Sequence, residues 1–147
     1  MVYSYGYNEE RAFLAIFTGW FLAQTIKIII GVIRERRFNF RWLMSTGGMP
    51  STHSAAVAAL STVVGYYYGF SSIPFAITLV FSLITMFDAA GVRRAAGKQA
   101  SVLNKMMDDI YEKGEVPEAR LKELLGHTPV QVFAGAAVGI ITAVIMR

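Results

Sequence analysis

The sequence has no cysteine, and its central stretch has no charged side chain. The missing cysteine excludes disulfides, thiolate nucleophiles and zinc knuckles. Asp, Glu, Lys and Arg are all missing from 55 to 87. No cleavable signal peptide is expected, because Glu9 and Glu10 precede the first apolar run and no small-residue cleavage site follows it. These absences point to a membrane-embedded chain without thiol chemistry.

Hydrophobic residues make up 54% of the 147 residues, and the mean hydropathy is +0.45. This excess is typical of integral membrane proteins, and the length allows a single membrane domain, 1–147. Because a spanning helix needs about 20 mostly apolar residues, we predict an all-α integral membrane bundle with about four transmembrane spans and an amphipathic surface helix. The predicted spans are 12–33, 51–70, 73–90 and 128–146, and the polar loop is 91–127.

Positive charge is concentrated between the first two predicted spans. Four arginines lie there against one glutamate: Arg34, Arg36, Arg37, Arg41 and Glu35. The positive-inside rule places this loop in the cytoplasm of a multi-pass protein and, by alternation, 91–127 as well. The net charge of +4 is therefore attributed to topology and anionic lipid contact rather than to nucleic acid. A homo-oligomer is compatible with the sequence.

The long loop has a helical pattern of its own. Apolar residues recur there at helical spacing, which predicts a surface helix along the membrane or the bundle. They are Val102, Leu103, Met106, Met107, Ile110 and Tyr111. Gly114 and Pro117 mark a break, and a short helix is predicted over 118–125. In the last span, Gly135 and Gly139 are four residues apart, a spacing that permits close approach between membrane helices.

Ionisable side chains gather at one predicted membrane face. The segment GGMPSTHSA, 47–55, opens the second span and contains His53, while Asp88 closes the third and His127 immediately precedes the fourth. Ionisable groups at membrane depth are costly and normally mark function. A simpler alternative for 47–55 is a capped helix start, where Pro, Ser and Thr are common.

Lys27 is the one charged residue inside the first predicted span. It shares a helical stripe with Gln24, Gly31 and Arg34, because seven residues turn a helix through nearly two full circles. Such a polar and small stripe on an apolar helix should face the bundle. The alternative is that Lys27 lies close enough to the span's end to extend its amine to the interface.

Three further cations follow the third predicted span: Arg93, Arg94 and Lys98. Each could simply solvate a loop helix, and Arg93 or Arg94 could pair with Asp88. Together with the other cations, the two histidines and a helix N-terminus, they are typical of an anion site, with phosphate as the natural ligand. The histidines and Asp88 are also a legitimate metal-ligand set, but the clustered cations would repel a metal ion.

Three motifs occur in a specific order: GGMPSTHSA, then FDAAGVRRAAGKQA with Leu103-Asn104 downstream, then GHTPVQVFAGAAVG. In this order and spacing they resemble the divergent branch of type-2 phosphatidic acid phosphatases, membrane proteins related to acid phosphatases and vanadium haloperoxidases. The resemblance extends over nearly the whole chain, from Ala12 to the end.

Two motifs of the parent superfamily are similar to the first half of this chain. Its first motif has a lysine, six intervening residues and then Arg-Pro; Lys27 and Arg34 have that spacing here, with Glu35 in place of the proline. Its Pro-Ser-Gly-His motif is matched by 50–53, with Thr52 in place of the glycine. In this chain each of these two motifs therefore keeps its chemically active residues and differs at one other position.

The third superfamily motif is kept only in part. His127 matches its histidine, but Leu121 occupies the arginine position and Gln131 the aspartate position, and Arg120 is one residue out of register. The basic middle motif could supply the missing cation. Gln131 can accept a hydrogen bond and so orient the histidine but brings no negative charge, and Asp88 at the same face could stand in for the aspartate.

The resemblance implies covalent phosphate chemistry. His127 would attack phosphorus in line to form a phosphohistidine that water then hydrolyses. His53 would protonate the leaving alcohol and later activate water. Ser51, Thr52 and backbone N–H groups would hold phosphoryl oxygens. Cationic side chains would offset the charge on those oxygens: Lys27, Arg34, Arg93, Arg94 and Lys98. No metal and no other cofactor is required.

The function implied is a metal-independent membrane phosphatase that hydrolyses a lipid phosphomonoester or diphosphate. The alternative is a non-catalytic membrane protein that binds anionic lipid head groups or organises partners, which the departures at Thr52, Leu121 and Gln131 favour. A transporter would need an oligomer to supply enough spans.

Overall fold

The computed structural model describes residues 8–40, 48–110 and 126–147, without the side chains of 93, 94 and 108–110. Within these ranges the chain forms five helices and no strand: α1 (Glu9–Glu35), α2 (Thr52–Tyr68), α3 (Ile73–Ala90), α4 (Val92–Ile110) and α5 (Pro129–Ile145). The prediction of an all-α fold is confirmed.

The four apolar runs coincide with α1, α2, α3 and α5. α1 extends past the predicted run because Asn8 caps its start, its side chain accepting from the Arg11 N–H at 2.8 Å. It ends at Arg36, which adopts a left-handed conformation with φ 51°. In the described part of the chain, the stretches Glu9–Glu35 and Ile73–Met107 are long and apolar enough to cross a membrane, and Pro129–Ile145 is a shorter apolar helix.

The predicted polar loop proved to be helical from its beginning. α4 starts at Val92, well before the apolar repeat that begins at Val102. Helical bonding is almost continuous across Gly91, which donates to the Phe87 carbonyl at 2.8 Å and accepts from the Ala95 N–H at 2.9 Å. The intervening Arg, Ala, Lys and Gln residues are good helix formers, but apart from Val92 their apolar members are alanines, whose low hydropathy gives a weaker signal than the repeat from Val102. Tyr111, Gly114, Pro117 and the helix predicted over 118–125 lie outside the described residues.

Two hydrogen bonds and one close contact fix how the helices are arranged. The Ser51 N–H, at the start of α2, donates to the Gln131 carbonyl in the first turn of α5 at 2.9 Å. The His127 N–H, just before α5, donates to the Ala89 carbonyl at the end of α3 at 3.0 Å. Near the end of α1, Lys27 packs against Gly48. α2 and α5 therefore begin where α1 and α3 end, and we call this end of the bundle the site end.

Glycines bring α2 and α5 into backbone contact. A Cβ on Gly135 would overlap the carbonyl oxygen of Ser51, and a Cβ on Gly139 would overlap that of Ala55. Gly19 of α1 joins the same contact, because its Cβ would lie 3.6 Å from the Gly139 Cα. The prediction that Gly135 and Gly139 permit close helix approach is confirmed.

Small residues fill the inside of the bundle, while large apolar side chains cover the outside. The core is centred on small side chains: Ala15, Ala59, Val63 and Ala143. By contrast, α3 exposes isoleucines and phenylalanines along most of its length, and only Ser82 and Ala89 of this helix are buried. So much exposed apolar surface is unsuited to water and is what a lipid environment accepts.

A buried hydroxyl pair joins α2 to α3 in the middle of the bundle. The Oγ atoms of Ser61 and Ser82 are 2.7 Å apart. Ser82 Oγ also lies 2.8 Å from the Val57 carbonyl of α2 and 2.8 Å from the Thr78 carbonyl of its own helix. These bonds satisfy polar atoms that would otherwise be costly at this depth.

Candidate functional site

His127 lies at the junction of three helices. It precedes α5, its backbone is bonded to the end of α3, and the neighbouring Gln131 is bonded to the start of α2. Its side chain is only 2% exposed. Burial of so polar a side chain is costly unless its nitrogen atoms are used, so the surroundings of its two ring nitrogens decide what the residue can do.

Gln131 determines which nitrogen of the His127 ring carries the proton. Its Oε1 lies 3.3 Å from His127 Nδ1 and accepts the Thr128 backbone N–H at 3.0 Å. Because a backbone N–H can only donate, the Gln131 atom placed there is the oxygen rather than the amide nitrogen. Nδ1 must therefore be the protonated nitrogen of the neutral ring, which leaves the lone pair on Nε2.

The Nε2 atom of His127 is buried and has no hydrogen-bond partner among the described residues. Burial lowers the pKa of His127, and the charges of Lys27 and His53 lower the pKa further. The Gln131 side chain and the nearby Gly48 backbone raise the pKa and so oppose this effect, but only in part. The ring is thus neutral at physiological pH, with its lone pair on an atom that the described protein groups leave unused.

Lys27 faces the inside of the bundle. It is 5% exposed, and its side-chain carbons pack on Gly48. A Cβ added to Gly48 would lie 3.3 Å from Lys27 Cγ. Gly48 has φ +98°, a conformation that other residues rarely adopt. The inward orientation predicted for this stripe is confirmed at Lys27 and at Gln24, which is also buried, whereas Arg34 at its far end is exposed.

The start of α2 combines a helix cap with an exposed histidine. Ser51 is the N-cap and is fully buried, its Oγ accepting from the Ser54 N–H at 3.3 Å and from the Ser54 hydroxyl at 3.0 Å. Thr52 is buried as well, whereas His53 is exposed. The capped-helix explanation is therefore confirmed for Ser51. It does not account for His53, which lies near enough to His127 to affect its pKa.

The structure brings some of the predicted site residues together and separates others. Lys27 and His53 each lie within electrostatic reach of His127, and Gln131 contacts the His127 ring. Asp88 is half-buried and directly precedes Ala89, the residue that binds the His127 backbone. Arg34 and Lys98 are exposed. Outside the description lie the side chains of Arg93 and Arg94 and the whole of Arg120 and Leu121.

Two residues of the site were overlooked in the sequence. Thr128 caps α5, and its Oγ1 accepts the Gln131 N–H at 3.4 Å, which completes a capping box. The Thr-x-x-Gln spacing ahead of an apolar run is a readable signal for this arrangement. Apart from the Gly-Gly pair, no sequence pattern indicated a role for Gly48, because Gly48 and Lys27 are distant in sequence and meet only in the folded protein.

The electrostatics of this end of the bundle favour an anion over a cation. The N-terminal, electropositive ends of α2 and α5 meet beside the buried amine of Lys27 and the lone pair of His127. In the described ranges no three His, Asp or Glu side chains come close enough to hold a metal ion.

Comparison with known proteins agrees with a helical membrane protein of phosphatase-related ancestry. The model of the "Divergent PAP2 family" matches residues 8–142. The uncharacterized membrane protein YuiD of Bacillus subtilis (strain 168) is 47% identical over 135 residues, covering 84% of this chain and 85% of its own. No solved structure matches. The chain belongs to the Divergent PAP2 family, and its long apolar helices support a location in the membrane.

Proposed function

We propose that this protein is a membrane-embedded phosphatase that hydrolyses a lipid phosphomonoester or diphosphate through a phosphohistidine at His127. One observation carries the proposal. The lone-pair nitrogen of His127 is buried without a hydrogen-bond partner among the described residues, within reach of the charge of Lys27. An unused nucleophile beside a buried cation suits a phosphoryl group better than any purely structural role.

In the first step, His127 Nε2 attacks the terminal phosphorus and the bond from that phosphorus to the oxygen that joins it to the rest of the lipid breaks. His53 gives its proton to the departing oxygen, so the products are a phosphohistidine and either an alcohol, from a monoester, or a lipid monophosphate, from a diphosphate. In the second step, His53 takes a proton from water, the resulting hydroxide attacks phosphorus, and the bond from phosphorus to Nε2 breaks. Both histidines return to their starting protonation states, as acid–base catalysis requires.

Charge on the phosphoryl oxygens would be offset from two sources. The first is the Lys27 amine, held in place because its stem packs on Gly48. The second is the pair of helix N-termini at α2 and α5, whose partial positive charges favour an anion. Thr52 and the Ser51 hydroxyl lie at the first of these termini, and Arg34, Arg93, Arg94 and Lys98 are candidates for the outer, solvated part of the site.

Gln131 gives the nucleophile an orienting partner without a charge. The carboxamide oxygen fixes the tautomer, but it cannot stabilise the positive charge that develops on the ring as Nε2 attacks. Asp88 lies close by in the chain segment bonded to His127 and is the remaining candidate for that task. We therefore expect slower turnover than in enzymes whose histidine has a carboxylate partner.

In this proposal the chain crosses the membrane several times and the site end faces the cytoplasm. Supporting this, arginines cluster at 34–37, where α1 ends at the site end. Membrane lipids would then present their phosphate at the interface while their hydrocarbon chains stay in the bilayer.

The test is phosphate release by the purified protein from a panel of lipid phosphates and diphosphates. The wild type should release inorganic phosphate, and His127→Asn should lower the rate by a factor on the order of 10⁶, as loss of a covalent nucleophile does. Asn keeps a polar side chain in the buried position, and thermal unfolding of both proteins in detergent controls for folding. Undiminished release by folded His127→Asn would eliminate the nucleophile.

A second measurement examines His53. His53→Ala should slow turnover by about 10²–10⁴-fold, because both the proton donor and the water-activating base are lost. Rapid quenching with radiolabelled lipid phosphate should then show an acid-labile, base-stable phosphoprotein that accumulates in this variant. His53 is exposed, so the substitution should leave folding unchanged.

Burial of His127 favours one alternative function. A ring that is 2% exposed must be uncovered before a phosphoryl group can reach it. A non-catalytic protein that binds anionic head groups would have no such need. Tight binding of lipid phosphates without release and without phosphoprotein would support this alternative.

A further inference from the structure

A crevice lies between α1 and α5, lined by residues from 18–26 of α1 and 138–146 of α5 and its C-cap. Its volume is about 320 Å³. Its walls are mostly apolar and include Leu22 and Ile26 of α1 and Val138, Ile141 and Ile145 of α5. The catalytic scheme uses none of these residues.

The crevice and the candidate site share one face of α5. On α5, Val138 comes seven residues after Gln131 and Ile145 seven residues after that, so the three lie on one face, two turns apart. From Gln131 to Ile145 the helix rises about 21 Å, so one stripe leads from the anion site most of the way along α5.

The candidate site and the crevice differ sharply in chemistry. The site has the Lys27 amine and the His127 ring, which suit a phosphate. The crevice presents branched aliphatic side chains, of which Leu22, Ile141 and Ile145 are exposed, so it is open along its side. A ligand that satisfies both parts has an anionic head and one long hydrocarbon chain, and it can enter sideways from the bilayer.

We infer that the α1–α5 crevice binds a hydrocarbon chain of the lipid phosphate whose head group docks at Lys27 and His127. This inference rests on the proposed function, because it takes the anion to be a lipid phosphate. It adds a requirement for chain length. Long-chain alkyl phosphates should bind, whereas short-chain and inorganic phosphates gain nothing from the crevice.

The test is photo-crosslinking in phosphatidylcholine vesicles with hexadecyl phosphate that bears a diazirine near the end of its chain. The His127→Asn protein is used so that the probe stays intact. The same diazirine on hexadecanol controls for ordinary lipid contact. The phosphate probe should label Ile141 and Ile145 above the alcohol control, and unlabelled hexadecyl phosphate should compete while octyl phosphate and inorganic phosphate do not.

Two variants localise the binding. Val138→Phe, introduced into the His127→Asn protein, narrows the crevice and should weaken competition by hexadecyl phosphate by about tenfold. Val144→Phe is the matched control, since Val144 is exposed on the same helix and does not line the crevice. Lys27→Met should remove the preference for phosphate over alcohol while leaving background labelling unchanged.

The outcomes separate this inference from the catalytic proposal. Equal labelling of Ile141, Ile145 and Val144 by both probes would mean bulk lipid contact and would overturn the crevice. Phosphate-dependent labelling without phosphate release by the wild type would uphold the crevice and reject catalysis. Equal release from octyl and hexadecyl phosphate, unaffected by Val138→Phe, would uphold catalysis and reject the crevice.

Discussion

The site end of the α2–α5 pair and the middle of the same pair bury very different atoms. At the site end the buried groups are the Ser51 hydroxyl, the Thr52 side chain and the His127 imidazole. In the middle they are the Cα of Gly139 and the backbone of Ala55. Burial of polar groups costs free energy unless they are bonded, whereas close backbone packing stabilises membrane helices. The middle thus holds the helices together, and the site end uses that rigidity to keep reactive groups in position.

If this contrast is right, substitutions at the site end should lower activity strongly while lowering stability little. Among substitutions that leave both histidines in place, the largest such effect is expected for Gln131→Leu, which removes the acceptor that fixes the His127 tautomer. Loss of the orienting partner in a catalytic triad costs about 10⁴-fold in rate, and we expect a loss of similar size in phosphate release.

Thr128→Ala is the matched control for Gln131→Leu. It removes the other half of the capping box, at a cost of about 1 kcal/mol in stability, but keeps Gln131 Oε1 beside Nδ1. Activity should therefore survive in Thr128→Ala once the assay is run well below its unfolding temperature. Equal loss of activity in both variants would mean that Gln131 acts only as a cap.

Substitutions in the middle should have the opposite effect and lower stability more than activity. Gly139→Leu places a side chain against the Ala55 backbone, and overpacking of this kind destabilises by about 1–3 kcal/mol. Thermal unfolding in detergent measures the change. Ala137→Leu is the control, because Ala137 is exposed on the same helix and its enlargement should be tolerated. A fully stable Gly139→Leu protein would contradict the backbone contact.

Acidification should weaken the site end through His127. Its pKa is lowered in the folded protein, so the unfolded chain binds a proton first as the pH falls below about 6.5. Stability is therefore fully present above that pH and declines as the pH drops toward the folded-state pKa, by about 1.4 kcal/mol for each unit between the two values. The decline should be smaller in His127→Asn, measured by unfolding across an acid pH series. Parallel curves for both proteins would count against a buried neutral ring.

The smallest loss of stability is expected when a buried hydroxyl group in the middle of the bundle is removed. Ser82→Ala removes the hydroxyl bonds between α3 and α2, and such bonds in membrane proteins average about 0.6 kcal/mol. Thr85→Val is the control, because the Thr85 hydroxyl bonds only the Phe81 carbonyl of its own helix in the described structure. A much larger loss in Ser82→Ala would show that the middle depends on hydrogen bonds as well as on close packing.

Much of the helical framework could be predicted from the sequence. Apolar runs locate helices because a bilayer leaves the backbone no partner but itself, and the run at 73–90 coincides with α3. The four-residue spacing of Gly135 and Gly139 indicated the packing surface correctly. The same spacing in Ala15, Gly19 and Ala23, which are all buried, was not used. The beginning of α4 was missed because the apolar positions of its first turns are mostly alanines, which give only a weak hydropathy signal.

The candidate site was only partly predictable. Sequence alone suggested that His53, His127 and Lys27 share one end, since each adjoins an end of an apolar run. It left open whether Gln131 or Asp88 serves the His127 ring, and the contact observed is with Gln131. That choice depends on the first turn of α5, where the capping box holds the carboxamide in place.

By itself the sequence determined where helices form, which family the chain belongs to and which polar residues could meet. These follow from hydropathy, local spacing and motif order, all of which are local along the chain. Only the tertiary structure decided that His127 is buried with Nε2 unused, that Lys27 points inward against Gly48, and that α1 and α5 leave a crevice between them. These properties arise from contacts between helices distant in sequence, where glycine backbones set how closely the helices can lie.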